Sequence, residues 1–134
     1  MRVFRSMDAS ASGMTAERLR MDIIASNIAN ANSTRTEAGG PYRRKMPVFA
    51  EDRGASGPNG TRVIAVAEDQ TPLRRVFDPG HPDAGSDGYV MFPNVEPVKE
   101  MVDLITAMRA YEANATLVST AKALASRALD IGRG

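Results

Sequence analysis

The stretch that decides the fold is VKEMVDLITAMRAYEANATLVSTAKALASRALDI, residues 98–131. It contains neither proline nor glycine, the two residues that break or weaken helix interiors. Apolar side chains recur along it at alternating spacings of four and three, which is the periodicity of an amphipathic helix. The sequence therefore predicts one long helix from about residue 98 to about residue 131.

Two apolar ladders run along this predicted helix. Their members are Leu104, Met108, Tyr111, Ala115, Val118, Ala125 and Leu129 in the first ladder, and Leu117, Ala121, Leu124, Ala128 and Ile131 in the second. At about 1.5 Å per residue the helix would be about 50 Å long, too long for the small middle of the chain to cover. One partner helix can bury only one ladder, so we expect this helix to pack on another helix of the chain and also on neighbouring copies.

The first 34 residues predict a second helix, from about residue 3 to about residue 30. Its apolar stripe has the same alternating spacing and comprises Met7, Ala11, Met14, Met21, Ala25 and Ile28, with Arg18 as a polar break. Asparagine, serine and threonine crowd residues 27–34, and such side chains compete for backbone hydrogen bonds and favour caps and turns. The head helix should therefore end there.

Proline placement separates the two helices from the middle of the chain. All eight prolines lie between Pro41 and Pro97. We therefore divide the chain into an N-terminal helix (1–34), a β-hairpin and loop region (35–97) and a C-terminal helix (98–134). Runs at 45–49 and 61–66 predict a hairpin with a long mobile loop through residues 52–60, and further strands are expected at 73–77 and 89–92. The predicted fold class is mainly α with a small β-rich middle region, its long helices paired in a coiled-coil-like layer.

Composition excludes several classes of function. The formal net charge of +1 gives no indication of nucleic-acid binding. Cysteine is absent, which excludes disulfides, thiolate metal sites and cysteine nucleophiles. Charged side chains interrupt the N-terminal stretch that a cleaved signal would need, and no segment reaches the roughly 18 to 20 apolar residues of a membrane span. The sequence predicts no enzyme, no catalytic, cofactor-binding or metal site, and no membrane insertion.

The single histidine, His81, lies close to Asp83 in a segment rich in proline and aspartate. These two residues could be an acid–base pair of a small hydrolase. No second histidine, cysteine or nucleophile motif accompanies them, so we interpret the segment as a polar turn before the last predicted strand.

Arg43, Arg44 and Lys45 form the densest basic cluster. Such a triplet commonly lies along a solvated strand edge, where its charge discourages incorrect pairing, and contact with an acidic partner is the alternative. The evenly spaced methionines of the head helix could supply thioether ligands to copper, but their helical spacing favours packing in a core or an interface.

The segment ASGMTAERLRMDIIASNIANANST, residues 11–34, resembles the N-terminal signature shared by flagellar rod, hook and hook-filament junction proteins. Its most specific part is SNIANANST, residues 26–34. Further segments resemble the C-type proximal rod proteins: DPGHPDA (78–84), GYV (88–90), PNVE (93–96), KEMVDL (99–104), RAYEAN (109–114) and ALDIG (128–132). The resemblance covers nearly the whole chain apart from residues 52–60.

This resemblance implies a structural subunit of the proximal rod of the bacterial flagellar basal body, transmitting torque from the motor to the hook. Its partners would be copies of itself and other rod proteins in a helical assembly. Family members cross the inner membrane through the flagellar type III export apparatus and assemble in the periplasmic space. Their terminal helices are often disordered in the free monomer and pair in the rod. The alternative is a cytoplasmic helical adaptor or chaperone of that export system, which would bind a partner helix in a groove.

The predicted assembly interface comprises Met14, Met21, Asn27, Ile28, Asn30, Leu104, Met108, Tyr111, Asn114 and Leu117. Its apolar members would pack between helices of the same or of neighbouring subunits. The asparagines would be polar contacts that fix helix register, as lone polar residues do in coiled coils.

Overall fold

The computed structural model describes residues 2–54 and 57–134. In chain order its elements are α1 (Arg2–Ala29), β1 (Lys45–Gly54), β2 (Gly57–Glu68), β3 (Arg74–Phe77), β4 (Tyr89–Phe92) and α2 (Pro97–Arg133). The predicted fold class, two long terminal helices around a small β-rich middle region, is confirmed. Pro97 occupies the first turn of α2, where its missing N–H removes no helical hydrogen bond.

The two helices lie side by side in antiparallel orientation. At one end, Asn27 of α1 donates a hydrogen bond to Glu100 of α2 at 3.2 Å. Further along, Gly13 lies so close to Asn114 that a Cβ on residue 13 would stand 2.9 Å from the Asn114 amide nitrogen. At the other end, α1 and α2 line a common groove that ends at Leu124. The last turns of α2 therefore extend beyond the start of α1.

Where α1 lies against the middle of α2, small residues form the contact on the α1 side. Ser10 is buried there and Gly13 carries no side chain, whereas the larger Ile23 and Ile24 are buried nearer the C-terminal end of α1. Small residues let helix axes approach closely. The stripe that contains Met14 and Met21 is only half-buried. The methionine stripe predicted on α1 thus borders the helix pair and does not form its centre.

The face of α2 that contacts α1 follows Glu100, Ala107 and Asn114, which are spaced by seven residues. Half-buried positions beside this line include Leu104, Tyr111, Ala115, Val118, Ala121 and Ala125. Among the large apolar residues that stay exposed farther along α2 are Met108, Leu117, Leu124, Leu129 and Ile131. The inward face therefore takes apolar residues from both predicted ladders. It also includes two polar residues, Glu100 and Asn114, that belong to neither ladder.

The hairpin β1–β2 lies along α1. At its base, Asn27 bonds the main chain of Lys45. At its distal part, the Ser12 hydroxyl oxygen accepts a hydrogen bond from the Thr61 amide at 3.1 Å. Gly60 is required here because the Ser12 hydroxyl occupies the space that a side chain would need, and its φ is 145°. The hairpin is therefore held on α1 at both ends.

This hairpin is longer than the sequence predicts. Its strands continue to Gly54 and start again at Gly57, so the mobile loop predicted at 52–60 is wrong for most of its length. Residues 55 and 56 of that predicted loop lie outside the described residues. Register shifts at Val48/Phe49 and Asp52/Arg53 mark irregularities of the β-bulge type, which accommodate extra residues without ending the pairing.

The strands β3 and β4 pair as a second antiparallel sheet, in the places where the sequence predicts strands. An isolated two-stranded sheet is marginally stable in water. This one is tied to the connector after α1, because Asp83 in its turn accepts hydrogen bonds from Thr34 and Arg35.

The apolar core of the described chain is small. Ala31, Tyr42 and Val95 form one buried cluster, beside the point where the helices and strands converge, and Ala16, Ile23, Ile24, Val90 and Ala107 are buried outside it. Within residues 2–54 and 57–134, no helix is long and apolar enough to cross a membrane. Most large apolar side chains of α2 therefore have no core of their own chain in which to be buried.

Candidate assembly site

Asn27 lies where α1, β1 and α2 meet, and it is 0% exposed. Its carbonyl oxygen accepts hydrogen bonds from the Tyr42 hydroxyl at 2.8 Å and from the Lys45 amide at 2.9 Å. Its amide nitrogen donates to the Lys45 carbonyl at 2.8 Å and to the Glu100 carboxylate at 3.2 Å. Both acceptor positions and both donors of the side-chain amide are used, which avoids the cost of an unsatisfied buried polar group.

Glu100 is 1% exposed, and its carboxylate accepts hydrogen bonds from Asn27 and from Nε of Arg44. Arg44 also lies 3.3 Å from the carboxylate of Asp69 and 3.8 Å from that of Asp103. Burial lowers the pKa of Arg44, but the hydrogen bond and charge of Glu100, followed by those of Asp69, raise it above its ordinary value. A buried carboxylate is tolerated only with such partners.

We refer to Asn27, Tyr42, Arg44 and Glu100 as the polar junction. Asn94 holds the chain beside the polar junction. Its side-chain oxygen accepts a hydrogen bond from the main-chain amide of Arg44 at 2.8 Å, and its side-chain nitrogen donates to main-chain oxygens of the segment between β2 and β3. The polar junction therefore fixes both helices, the base of the hairpin and the connector to the second sheet.

The structure corrects the prediction for the basic cluster at 43–45. Arg44 is half-buried and ion-paired with Glu100, and does not form a solvated strand edge. Arg43 donates to the carbonyl oxygens of Asp69 and Thr71 at 3.2 and 3.3 Å, whereas Lys45 is exposed. The sequence gives no local signal for the ion pair, because Glu100 lies 56 residues away from Arg44 in the chain.

On α1, the predicted interface residues other than Asn27 lie beside the helix pair. Met14, Met21 and Ile28 are half-buried, and their spacing of seven places them on one face. Asn30 is also half-buried, and its amide donates to a carbonyl of its own helix at 2.8 Å. Its side-chain oxygen also accepts a hydrogen bond from the Ser33 hydroxyl at 3.2 Å. These bonds close the last turn of α1, and a contact with another helix stays a prediction.

On α2, the predicted interface residues divide into two groups. Leu104, Tyr111 and Asn114 are half-buried on the side of α1. Met108 and Leu117 are 46% and 58% exposed. The first group contributes to packing within the chain, and the second is available for contacts between chains.

The first turns of α2 carry an apolar patch that the described part of the chain leaves uncovered. Its members, which we call the outer patch, are Val98, Met101, Val102, Ile105 and Met108, each at least 46% exposed. On the helix these positions project away from the line of Glu100 and Ala107, so α1 cannot reach them. Contiguous exposed apolar surface of this kind marks interaction sites. Sequence periodicity alone does not separate this patch from the inward face, since both contain apolar residues.

His81 and Asp83 hold the turn between β3 and β4. The Asp83 amide donates to Nδ1 of His81 at 3.0 Å, and the His81 ring meets the Phe92 ring edge-on at 5.9 Å. The Asp83 carboxylate bonds Thr34 at 2.7 Å and pairs with Arg35. Both side chains therefore have structural partners, as the interpretation as a polar turn expects.

Two family models match the chain. The one described as flagella basal body rod protein matches residues 7–35, and the one described as flagellar basal body rod FlgEFG protein C-terminal matches residues 86–131. The first match includes Asn27 and most of α1. The second includes Glu100 and most of α2. Both helices that meet in the polar junction thus fall within rod-protein matches.

Full-length relatives give the same result. The chain is 42% identical to the flagellar basal-body rod protein FlgC of Bacillus subtilis, over 99% of the chain and 100% of that protein. It is 42% identical to FlgC of Borreliella burgdorferi over the whole of both chains, and 37% identical to FlgC of Salmonella typhimurium over 99% of the chain and 100% of that protein.

Paired terminal helices around a small β-rich region, together with these matches, define the class of flagellar basal-body rod proteins. Within that class, the chain belongs to the FlgC family. The resemblance to C-type rod proteins that the sequence motifs predict is confirmed.

Proposed function

We propose that the chain is a structural subunit of the proximal rod of the flagellar basal body and assembles through the outward faces of its helix pair. The full-length relatives are named as rod proteins, which supports a structural role over an enzymatic or adaptor role. The observation that carries the mode of assembly is the outer patch, where a long helix exposes large apolar side chains along three turns.

Covering the outer patch would be favourable. Removal of apolar surface from water contributes about 25 cal/mol per Å², and the patch contains five large apolar side chains. Copies related by symmetry present the same patch repeatedly, so one contact can propagate along an assembly. Torque would be carried by many such contacts, each worth only about 0.1–0.2 kcal/mol per atom pair but large in sum.

The partners we propose are copies of this chain and other rod proteins, with the rod standing in the periplasmic space. The flagellar type III export apparatus would be a further, transient partner during secretion. This part of the proposal rests on the FlgC family alone.

The replacement Met108→Asp tests the mode of assembly. Met108 is 46% exposed in the outer patch, so a carboxylate there stays solvated in the single chain but would be costly to bury against a neighbour, by several kcal/mol. We expect normal soluble expression, absence of the variant from purified basal bodies, and loss of swimming. Leu104→Asp would be less informative, because Leu104 is half-buried toward α1.

The matched control is Ser119→Asp, which adds the same charge at an exposed polar position of the same helix. This control should enter basal bodies and swim as the wild type does. Wild-type swimming by Met108→Asp would contradict assembly through the outer patch. Recovery of the unmodified chain only from a soluble cytoplasmic pool would favour the adaptor alternative.

A further inference from the structure

The structure contains two separable associations, the pairing of α1 with α2 and the docking of the β1–β2 hairpin on α1. We propose that the polar junction makes the docking of the hairpin conditional on the pairing of the helices. The proposal concerns a single chain, and it can hold or fail independently of the assembly proposed above.

The polar junction is the place where α2 can influence the hairpin. In the described part of the chain α2 packs against α1, and it does not pack against β1 or β2. Glu100 of α2 nevertheless bonds Arg44, the residue that directly precedes β1. When α2 pairs with α1, Glu100 therefore supplies a counter-ion to Arg44, next to the first residue of the hairpin.

Asn27 links the same event to α1. Its side chain exchanges two hydrogen bonds with the main chain of Lys45, which fixes the first residue of β1 against α1. Its amide nitrogen also needs Glu100 as an acceptor. If α2 is displaced, Asn27 loses Glu100 as an acceptor and Arg44 loses Glu100 as its most buried ion-pair partner. Fewer interactions then fix the position of β1 on α1.

Elsewhere the hairpin lies along α1, and Gly60 packs against Ser12. A two-stranded ribbon is marginal by itself, and the outer face of this one exposes Ile64 and Val66. Its distal part is held by the hydrogen bond from the Thr61 amide to Ser12. The base of the hairpin, at the polar junction, is therefore the point at which α2 can alter the docking, because the other described contacts between the hairpin and the helices are made by α1.

The test locks the two helices together and removes the negative charge of Glu100 from the polar junction. The chain contains no cysteine, so Gly13→Cys with Asn114→Cys introduces one disulfide between α1 and α2, where a Cβ on residue 13 lies 3.3 Å from Cγ of Asn114. Amide hydrogen exchange of the full oxidised chain is measured with and without Glu100→Gln. The Thr61 amide is the main readout, because its bond to Ser12 reports docking and not strand pairing.

We expect Glu100→Gln to accelerate exchange of the Thr61 amide about tenfold or more, while amides in the middle of α2 exchange as before. Arg44→Gln should have the same effect from the other side of the ion pair. The control is Glu112→Gln, an exposed glutamate of the same helix, which should leave Thr61 unchanged.

Unchanged exchange at Thr61 in both junction variants would overturn the proposal. Equal acceleration in the hairpin and in the helices would overturn it too, because the junction would then be a general stabiliser and not a coupling element. Neither outcome depends on rod assembly, so failure here is distinguishable from failure of the proposed function.

Discussion

Asn27 stabilises this chain through hydrogen bonds more than through apolar contact. It ends no helix itself, although it lies in the asparagine-rich segment that predicts a helix end. Its full burial and its use of every hydrogen-bonding position make it intolerant of replacement. Its described hydrogen bonds hold α1 against β1 as well as against α2, and the register role predicted for it stays a prediction.

We expect Asn27→Ala to lower the free energy of unfolding by about 3 kcal/mol, because the buried Tyr42 hydroxyl and the buried Glu100 carboxylate each lose a hydrogen-bond partner and the main chain of Lys45 loses two bonds. Urea unfolding of the disulfide-locked chain measures this loss. Asn30→Ala is the matched control, since the described side-chain bonds of Asn30 reach only Ser26 and Ser33, its near neighbours in the chain, and about 0.5–1 kcal/mol is expected. A loss for Asn27→Ala no larger than for Asn30→Ala would contradict this assignment.

Acid should weaken the turn between β3 and β4 in part through Asp83, although the backbone bond from Tyr89 and the pairing with Arg75 also lower the pKa of Asp87 in this turn. The Thr34 hydroxyl, followed by the charge of Arg35, lowers the pKa of Asp83. A lowered pKa in the folded state stabilises above the unfolded value of about 3.9, and this contribution is lost as the pH falls through the folded pKa. In the locked chain, Asp83→Asn should therefore flatten the decline of the urea midpoint on acidification below about pH 4. Asp78→Asn, exposed in the same turn, is the control, and equal slopes for wild type and Asp83→Asn would refute this role.

At the scale of elements, proline placement and apolar periodicity predict both helices to within a few residues of the observed bounds. These signals are local, so they can be read from one sequence. The identity of the inward face could not be predicted, because part of it is built on Ser10, Gly13 and Ala107, small residues that let two helices approach each other. Periodicity favours large apolar residues, and here several of those face outward.

The hairpin shows a second limit of sequence reasoning. Glycine and proline at 54–60 predict a loop, but bulges and Gly60 let the strands continue along α1. The sequence predicts that Arg44 is solvated because both of its neighbours in the chain are basic. Its partner Glu100 is distant in the chain, so only the folded arrangement brings the pair together. The polar junction is therefore the part of the candidate site that is hardest to predict from the sequence.

At the scale of the whole molecule, the chain exposes much apolar surface along its long helices and buries few apolar residues in a core. A few buried apolar residues, among them Ile23, Ile24 and Val90, hold it together with the polar junction, while the outer patch and the end of α2 stay exposed. Burial in neighbouring copies would supply the stabilisation that this core does not, so helix order and association should be linked by mass action.

The most direct test of this account measures helix content and mass together. Far-UV circular dichroism and sedimentation are recorded on the unmodified chain over a series of rising concentrations. The account predicts low helix content in the dilute monomer and a rise in helicity that coincides with association, whereas Met108→Asp should show neither rise. Fully formed helices in a chain that remains monomeric across the series would contradict it.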